Sequence, residues 1–150
     1  MFLEAELIHD QQISGVSIRG LEYASADNKI ATTDIDPAGV TSILKIKPTT
    51  PIILTLPPSF ESWIQRLSGR GEMHSVEIHR RLTTALMVFD YVRNNYVGTI
   101  QCLVNDDLDK AVADVDRIVK GELSMTVDMP EIVTLLDELD EGARSYIAAI

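Results

Sequence analysis

Cysteine is nearly absent. Cys102 is the only one in 150 residues, which excludes an intrachain disulfide and any cysteine-built metal site. It lies in the apolar run Thr99-Ile100-Gln101-Cys102-Leu103-Val104 and reads as a small buried hydrophobe. Cationic side chains are scarce as well. Lys and Arg total 13 against 23 Asp and Glu, a net charge of −10, so neither nucleic acid nor an anionic membrane is expected as the main partner. No apolar run is long enough to span a bilayer and no basic-then-apolar leader opens the chain; the expectation is a soluble, cytoplasmic protein. Internal repeats and low-complexity tracts are lacking. Asp106, Asp107 and Asp109 cluster, but the glycine and distal glutamate of a calcium loop are missing at the required offsets, and no metal site is expected. What remains is ordinary globular composition, 45% apolar and 24% charged, with length for one domain and not comfortably for two.

Along the chain, residues 1–8 look structured from the first position, and 9–29 are polar and turn-rich, with a short helix expected near 17–26. Residues 30–36 read as a strand ending in acids, which would place Asp34 and Asp36 on one face. Pro37 opens a short helix, and 45–51 is a loop. The run 51–56 reads as a buried strand stopped by Pro57-Pro58. Ser59 then caps a helix carrying Phe60, Trp63, Ile64 and Leu67, which breaks at Gly69. From Val76 to Asn95 the apolar positions keep a 3.6 period and predict the longest helix. Residues 99–104 form the next strand, and Asn105 to Asp109 cap a helix through Val119. In the tail, Ile132, Leu135, Leu136 and Leu139 predict an acidic amphipathic helix over 131–141 that covers its own domain. Short apolar strands alternating with helices predict an α/β fold with a mainly parallel sheet and flanking helices. Ligands in such sheets collect at the carboxyl ends of strands, where Asp34 and Asp36, the proline corner and Asn105 all fall.

Arginines mark the joints of the segment 57–82: Arg66 and Arg70, then Arg80 and Arg81. A guanidinium fork stays charged and pairs bidentately with phosphate; on residue types alone, solvated helix-face charges are the alternative. Asp34 and Asp36 can hold a magnesium–phosphate system or accept protons, but on the residues alone a strand running into a turn, where aspartate is common, is the favoured account of them.

The pattern P-P-S-F-x-x-W-I-x-R-L-x-G-R-G from Pro57, followed by His79-Arg80-Arg81-Leu82, resembles the lid segment of the guanylate kinase family. Phe2-Leu3-Glu4, Asp34-Ile35-Asp36 with Gly39, and Val104-Asn105-Asp106-Asp107-Leu108-Asp109 resemble further motifs of that family in the same order. The resemblance implies a nucleoside monophosphate kinase fold of the phosphate-loop class and a partial domain over 1–120 with its lid near 69–81; the acidic helical tail over 121–150 extends past it. In a complete member ATP phosphorylates GMP, with Mg2+ as cofactor. Glu4 would read guanine, Asp34 and Asp36 would lie on the GMP and magnesium side, Arg70 and Arg81 with Arg66 would neutralise the moving phosphate, and Asn105 would lie on the adenosine side. The sequence departs from the family in two places. No G-x-x-x-x-G-K-[ST] occurs in it, and Ile13-Ser14-Gly15-Val16 stands where Tyr-Gly-[ST] is usual. The expectation is therefore a C-terminal portion of a guanylate kinase-like protein, missing the first strand and phosphate loop. By itself it is not expected to be catalytically competent, to bind ATP or Mg2+ tightly, or to escape self-association. The alternative is a non-catalytic guanylate kinase-like module that binds protein partners.

Overall fold

The computed structural model describes residues 2–8, 12–26, 30–69, 74–95, 100–123 and 129–149. They fall in two compact units, Met1–Thr50 and Pro51–Ile150.

In the first unit, β1 (Phe2–Ile8) and β2 (Gln12–Ser17) pair antiparallel, in register from Ile8 opposite Gln12 to Phe2 opposite Ser17, with an irregularity between Phe2 and Glu4. The polar, turn-rich reading of 9–29 missed β2. Its apolar residues, Ile13 and Val16, are out of step with a two-residue period, and the ladder to β1 supplies what local pattern does not. The expected short helix is present as α1 (Ile18–Ala26). Residues 30–36 form no regular element and join no ladder, so the strand expected there is not found. A strand needs a neighbour for its main-chain groups, and no described segment takes that place. Asp36 instead caps α2 (Pro37–Ile46), its Oδ1 accepting the Gly39 amide at 2.8 Å while Pro37 starts the first turn. Gly39 is required for packing. A Cβ there would lie 2.5 Å from Ile35 Cγ1.

The second unit is built on a parallel pair, β3 (Ile52–Leu56) and β4 (Ile100–Val104), in register from Ile52 opposite Ile100 to Leu56 opposite Val104. The crossover between them holds α3 (Phe60–Ser68) and α4 (Ser75–Asn95). Ser59 Oγ caps α3 by accepting the Ser62 amide at 3.1 Å, and the helix ends at Gly69 in right-handed conformation. After β4, Asp107 Oδ1 accepts the Lys110 amide at 2.8 Å and starts α5 (Leu108–Val119), which closes on Gly121 with φ of 73°. The tail helix α6 (Met129–Ala149) has 21 residues, equal to α4, and runs well beyond the 131–141 expected.

One core cluster gathers Leu56, Ile100 and Cys102 from the strands, Phe89 and Val92 from α4, and Ile132, Leu136 and Leu139 from α6. The tail helix thus packs through the expected stripe, with Leu135 half-buried at its margin. Removing a side chain such as Leu136 from water contributes about 1.5–3 kcal/mol. A second cluster joins Leu67 of α3, Ile78 and Leu82 of α4, and Ala143 of α6. Arg93 ties α4 to α6, donating to Asp137 Oδ1 at 2.8 Å, Asp140 Oδ1 at 3.2 Å and the Leu136 carbonyl at 3.3 Å. No described helix is long and apolar enough to cross a membrane.

Candidate functional site

The carboxyl ends of β3 and β4 are locked together. Parallel pairing continues one step past the strands, where the Asn105 amide donates to the Leu56 carbonyl at 2.8 Å. Pro57 cannot prolong β3, so the chain turns away and Ser59 launches α3 across the strand ends. That places Arg66, near the end of α3, over the start of the loop after β4. Its Nη1 donates to the Asn105 carbonyl at 2.7 Å. Thr55, Leu56, Pro57, Trp63, Arg66, Leu67 and Asn105 enclose a pocket of about 250 Å³. Its lining is mainly apolar and aromatic, with Thr55, the Arg66 guanidinium and Asn105 as its polar members. A planar ring with an anionic substituent suits such a lining.

Arg80 and Arg81 are carried on the first turns of α4. Both converge on Glu77: Arg80 Nη2 meets Oε2, and Arg81 Nε donates to Oε1 at 2.8 Å. Hydrogen bonding from Arg80, then from Arg81, holds the Glu77 carboxyl below the ordinary glutamate value, against the opposing pull of desolvation. The arrangement follows from sequence. Glu precedes Arg by three and four residues, the spacing that brings side chains together on a helix, and an acid suits a first turn. Glu77 is the functional neighbour that reading for arginines alone misses. Its signal was the E-x-x-R-R spacing. Leu67 beside Arg66, and Ile78 and Leu82 flanking the other two arginines, share one cluster, so these cations ride on packed stretches of α3 and α4.

Arg66 and Asn105 are thus brought together. Arg81 stands on α4 with its charge engaged, and Arg70 lies outside the described residues. Glu4 stands in β1 opposite Val16, and Asp34 and Asp36 precede α2; all three belong to the first unit. Asp34 is exposed and Asp36 is engaged as a helix cap. Among the described residues no cluster of three or more His, Cys, Asp or Glu is placed to hold a metal ion. Magnesium bound mainly by water and substrate phosphates needs only one or two carboxylates, which Asp34 and Asp36 have the chemistry to supply.

Comparison with known proteins bears on this site. The guanylate kinase family model matches residues 1–122. A guanylate kinase of Corynebacterium jeikeium is 33% identical over 122 residues, covering 77% of this chain and 60% of the relative. One of Nitrosomonas europaea is 34% identical over 127 residues, covering 84% of the chain and 60% of the relative. One of Mannheimia succiniciproducens is 29% identical over 140 residues, 92% of the chain and 65% of the relative. The chain therefore spans about 60% of the length of the curated relatives first matched. A parallel pair with its proline corner and arginine-bearing helices, read with a family match over most of the sequence, identifies the chain as a member of the guanylate kinase family.

Proposed function

We propose that this chain is the C-terminal portion of a guanylate kinase-like phosphotransferase, bearing its lid arginines and adenosine side, whose complete form converts ATP and GMP to ADP and GDP. The observation that supports it most is the Arg66–Asn105 bridge in the lining of a pocket at the strand ends. In this reading the pocket takes the adenine ring, Arg66 faces the phosphates, and Arg81 with Arg70 neutralises the transferred group from a lid over 69–81. Glu4 reads guanine, and Asp34 and Asp36 serve the GMP and magnesium side. Residues 1–120 act as the partial catalytic domain and 121–150 as an appended tail. ATP with Mg2+ supplies the phosphoryl group when bound, and the pocket residues fit its base end. The triphosphate has no phosphate loop or P-loop lysine to hold it in this chain, so nucleotide binding is weak and salt-sensitive. That same absence favours a second reading, a non-catalytic module that engages a protein partner.

Titrating ATP and GMP while following Trp63 fluorescence tests the first reading. The expected result is a saturable change with ATP that weakens steeply as salt is raised. A flat response to both nucleotides at millimolar concentration would leave the module as the better account.

A further inference from the structure

The pocket wall is not supported by the strands alone. Trp63 lines the pocket, and its ring meets Phe60 edge-on at 6.0 Å and Phe89 at 6.0 Å. Phe60 in turn meets Tyr146, near the end of α6, with ring centroids 6.3 Å apart and an interplanar angle of 61°. Gly142, one turn earlier in α6, lets the helix come so close that a Cβ there would lie 2.3 Å from Phe60 Cγ. Ala143 is fully buried in the cluster that holds Leu67, the other apolar pocket residue on α3. The second half of α6 therefore packs directly behind the face of α3 that forms the pocket. It also lies beyond residue 122, where the family match ends.

We propose that the carboxy-terminal helix sets the shape of the nucleotide pocket, with Tyr146 as a positioning residue that acts on Trp63 through Phe60. The physical basis is close packing. Edge-on aromatic pairs have a preferred geometry, and a dense interior transmits a displaced ring to its neighbour instead of absorbing it. Tyr146 is not one of the residues that line the pocket; it packs on Phe60, Phe60 packs on Trp63, and the indole forms the wall. The ligand arm of the test rests on the nucleotide reading above, whereas the spectroscopic arm does not.

Trp63 is the only tryptophan in the chain, so its spectra report this wall alone. In the ligand-free full chain, Tyr146→Leu should alter the near-ultraviolet circular dichroism of Trp63 and raise its quenching by acrylamide, and Tyr146→Phe should restore both. Gly142→Ala, whose added Cβ would press on the Phe60 ring, should give the same signature and serves if Tyr146→Leu does not fold. Ile118→Val is the control. It loosens a buried position on α5 that belongs to neither of the two clusters on which Trp63 packs, and should leave Trp63 unchanged. With ATP as the probe, Tyr146→Leu should weaken binding by roughly two- to tenfold, the range that an aromatic edge contact supports. Unchanged Trp63 spectra in both Tyr146→Leu and Gly142→Ala would overturn the proposal, as would an equal change in Ile118→Val. If the parent chain shows no response to ATP, the nucleotide reading fails and the ligand-free spectra still decide the proposal.

Discussion

Single residues here carry local duties that can mask or modulate a role in chemistry. Ser59 and Asp107 were legible as helix caps because a short oxygen-bearing side chain before an apolar-periodic run has one obvious amide to meet. Asp36 was legible only as one of a pair of acids, because its capping bond depends on the helix that Pro37 opens. The two duties separate by substitution. Asp36→Asn keeps an acceptor for the Gly39 amide and should melt like the parent, whereas Asp36→Ala should lose about 1 kcal/mol. If Asp36 also serves magnesium–nucleotide binding, the Asn variant will bind Mg2+–nucleotide more weakly at unchanged stability; equal affinity assigns it to the cap alone. Glu77 poses a related problem for the arginines. It occupies Arg80 and Arg81 together, so an incoming phosphate must compete with a carboxylate already in place. Glu77→Gln should therefore tighten ATP binding at neutral pH, measured by Trp63 titration. Equal affinity would show that the pair never hinders the ligand.

At the scale of elements, pattern and outcome agree where burial is one-sided and local. The two strands of the parallel pair, α3, α4 and α5 all sit within a residue or a few of the bounds read from sequence. Misreadings have physical causes. β2 is held by its partner and not by its own alternation, and the run 30–36 has strand-like residues but no ladder. For α6 the sequence signal stopped at Glu141 because Gly142 and Ala143 are weakly apolar and glycine disfavours helix. The structure needs just those small residues, since Phe60 lies against Gly142 and Ala143 is fully buried. The pocket was anticipated at strand ends, but its backing by the tail was not, because no local pattern reports that Tyr146 meets Phe60. Docking of α6 also has a pH signature. Hydrogen bonding from Arg144, then from Arg93, holds the Asp140 carboxyl below the ordinary aspartate range, against desolvation. A carboxyl with a lowered folded pKa contributes stability that is fully present above its unfolded value and lost as pH falls through the folded one. The melting temperature should therefore drop on acidification below the ordinary aspartate range. Asp140→Asn should melt lower than the parent at neutral pH and converge with it in acid; parallel curves would mean that the ion pairs do not stabilise docking.

For the whole molecule, two consequences follow from a sheet and a site that are each partly furnished. The Leu56 carbonyl points to β4, so by alternation Ile53 and Thr55 present their main-chain groups to the other edge of β3, where no described strand pairs with them. No charge or proline interrupts 52–56, the features that usually protect an edge. The isolated chain should self-associate with concentration, more so in salt that screens its net charge of −10. Thr55→Pro, at a position whose amide makes no ladder bond, should restore a monomer in light scattering; a parent chain that stays monomeric at high concentration defeats the expectation. Chemistry follows the same logic. Phosphoryl transfer depends mostly on positioning and on neutralising charge at the moving group. Arg66 and Arg81 can attract a nucleotide, but the sequence has no phosphate-loop motif to hold its phosphates in line with an acceptor. Purified to remove host kinases, this chain should form no GDP from GMP and ATP in a coupled assay. Joined to a phosphate-loop segment from a relative, it should gain activity. Arg81→Lys in that fusion should then lower turnover more than nucleotide binding, because lysine keeps the charge and loses the fork. Sustained ATP-dependent GDP formation by the 150-residue chain alone would mean that its arginines and main-chain amides suffice to align the phosphates, and the role assigned to the loop would have to be abandoned.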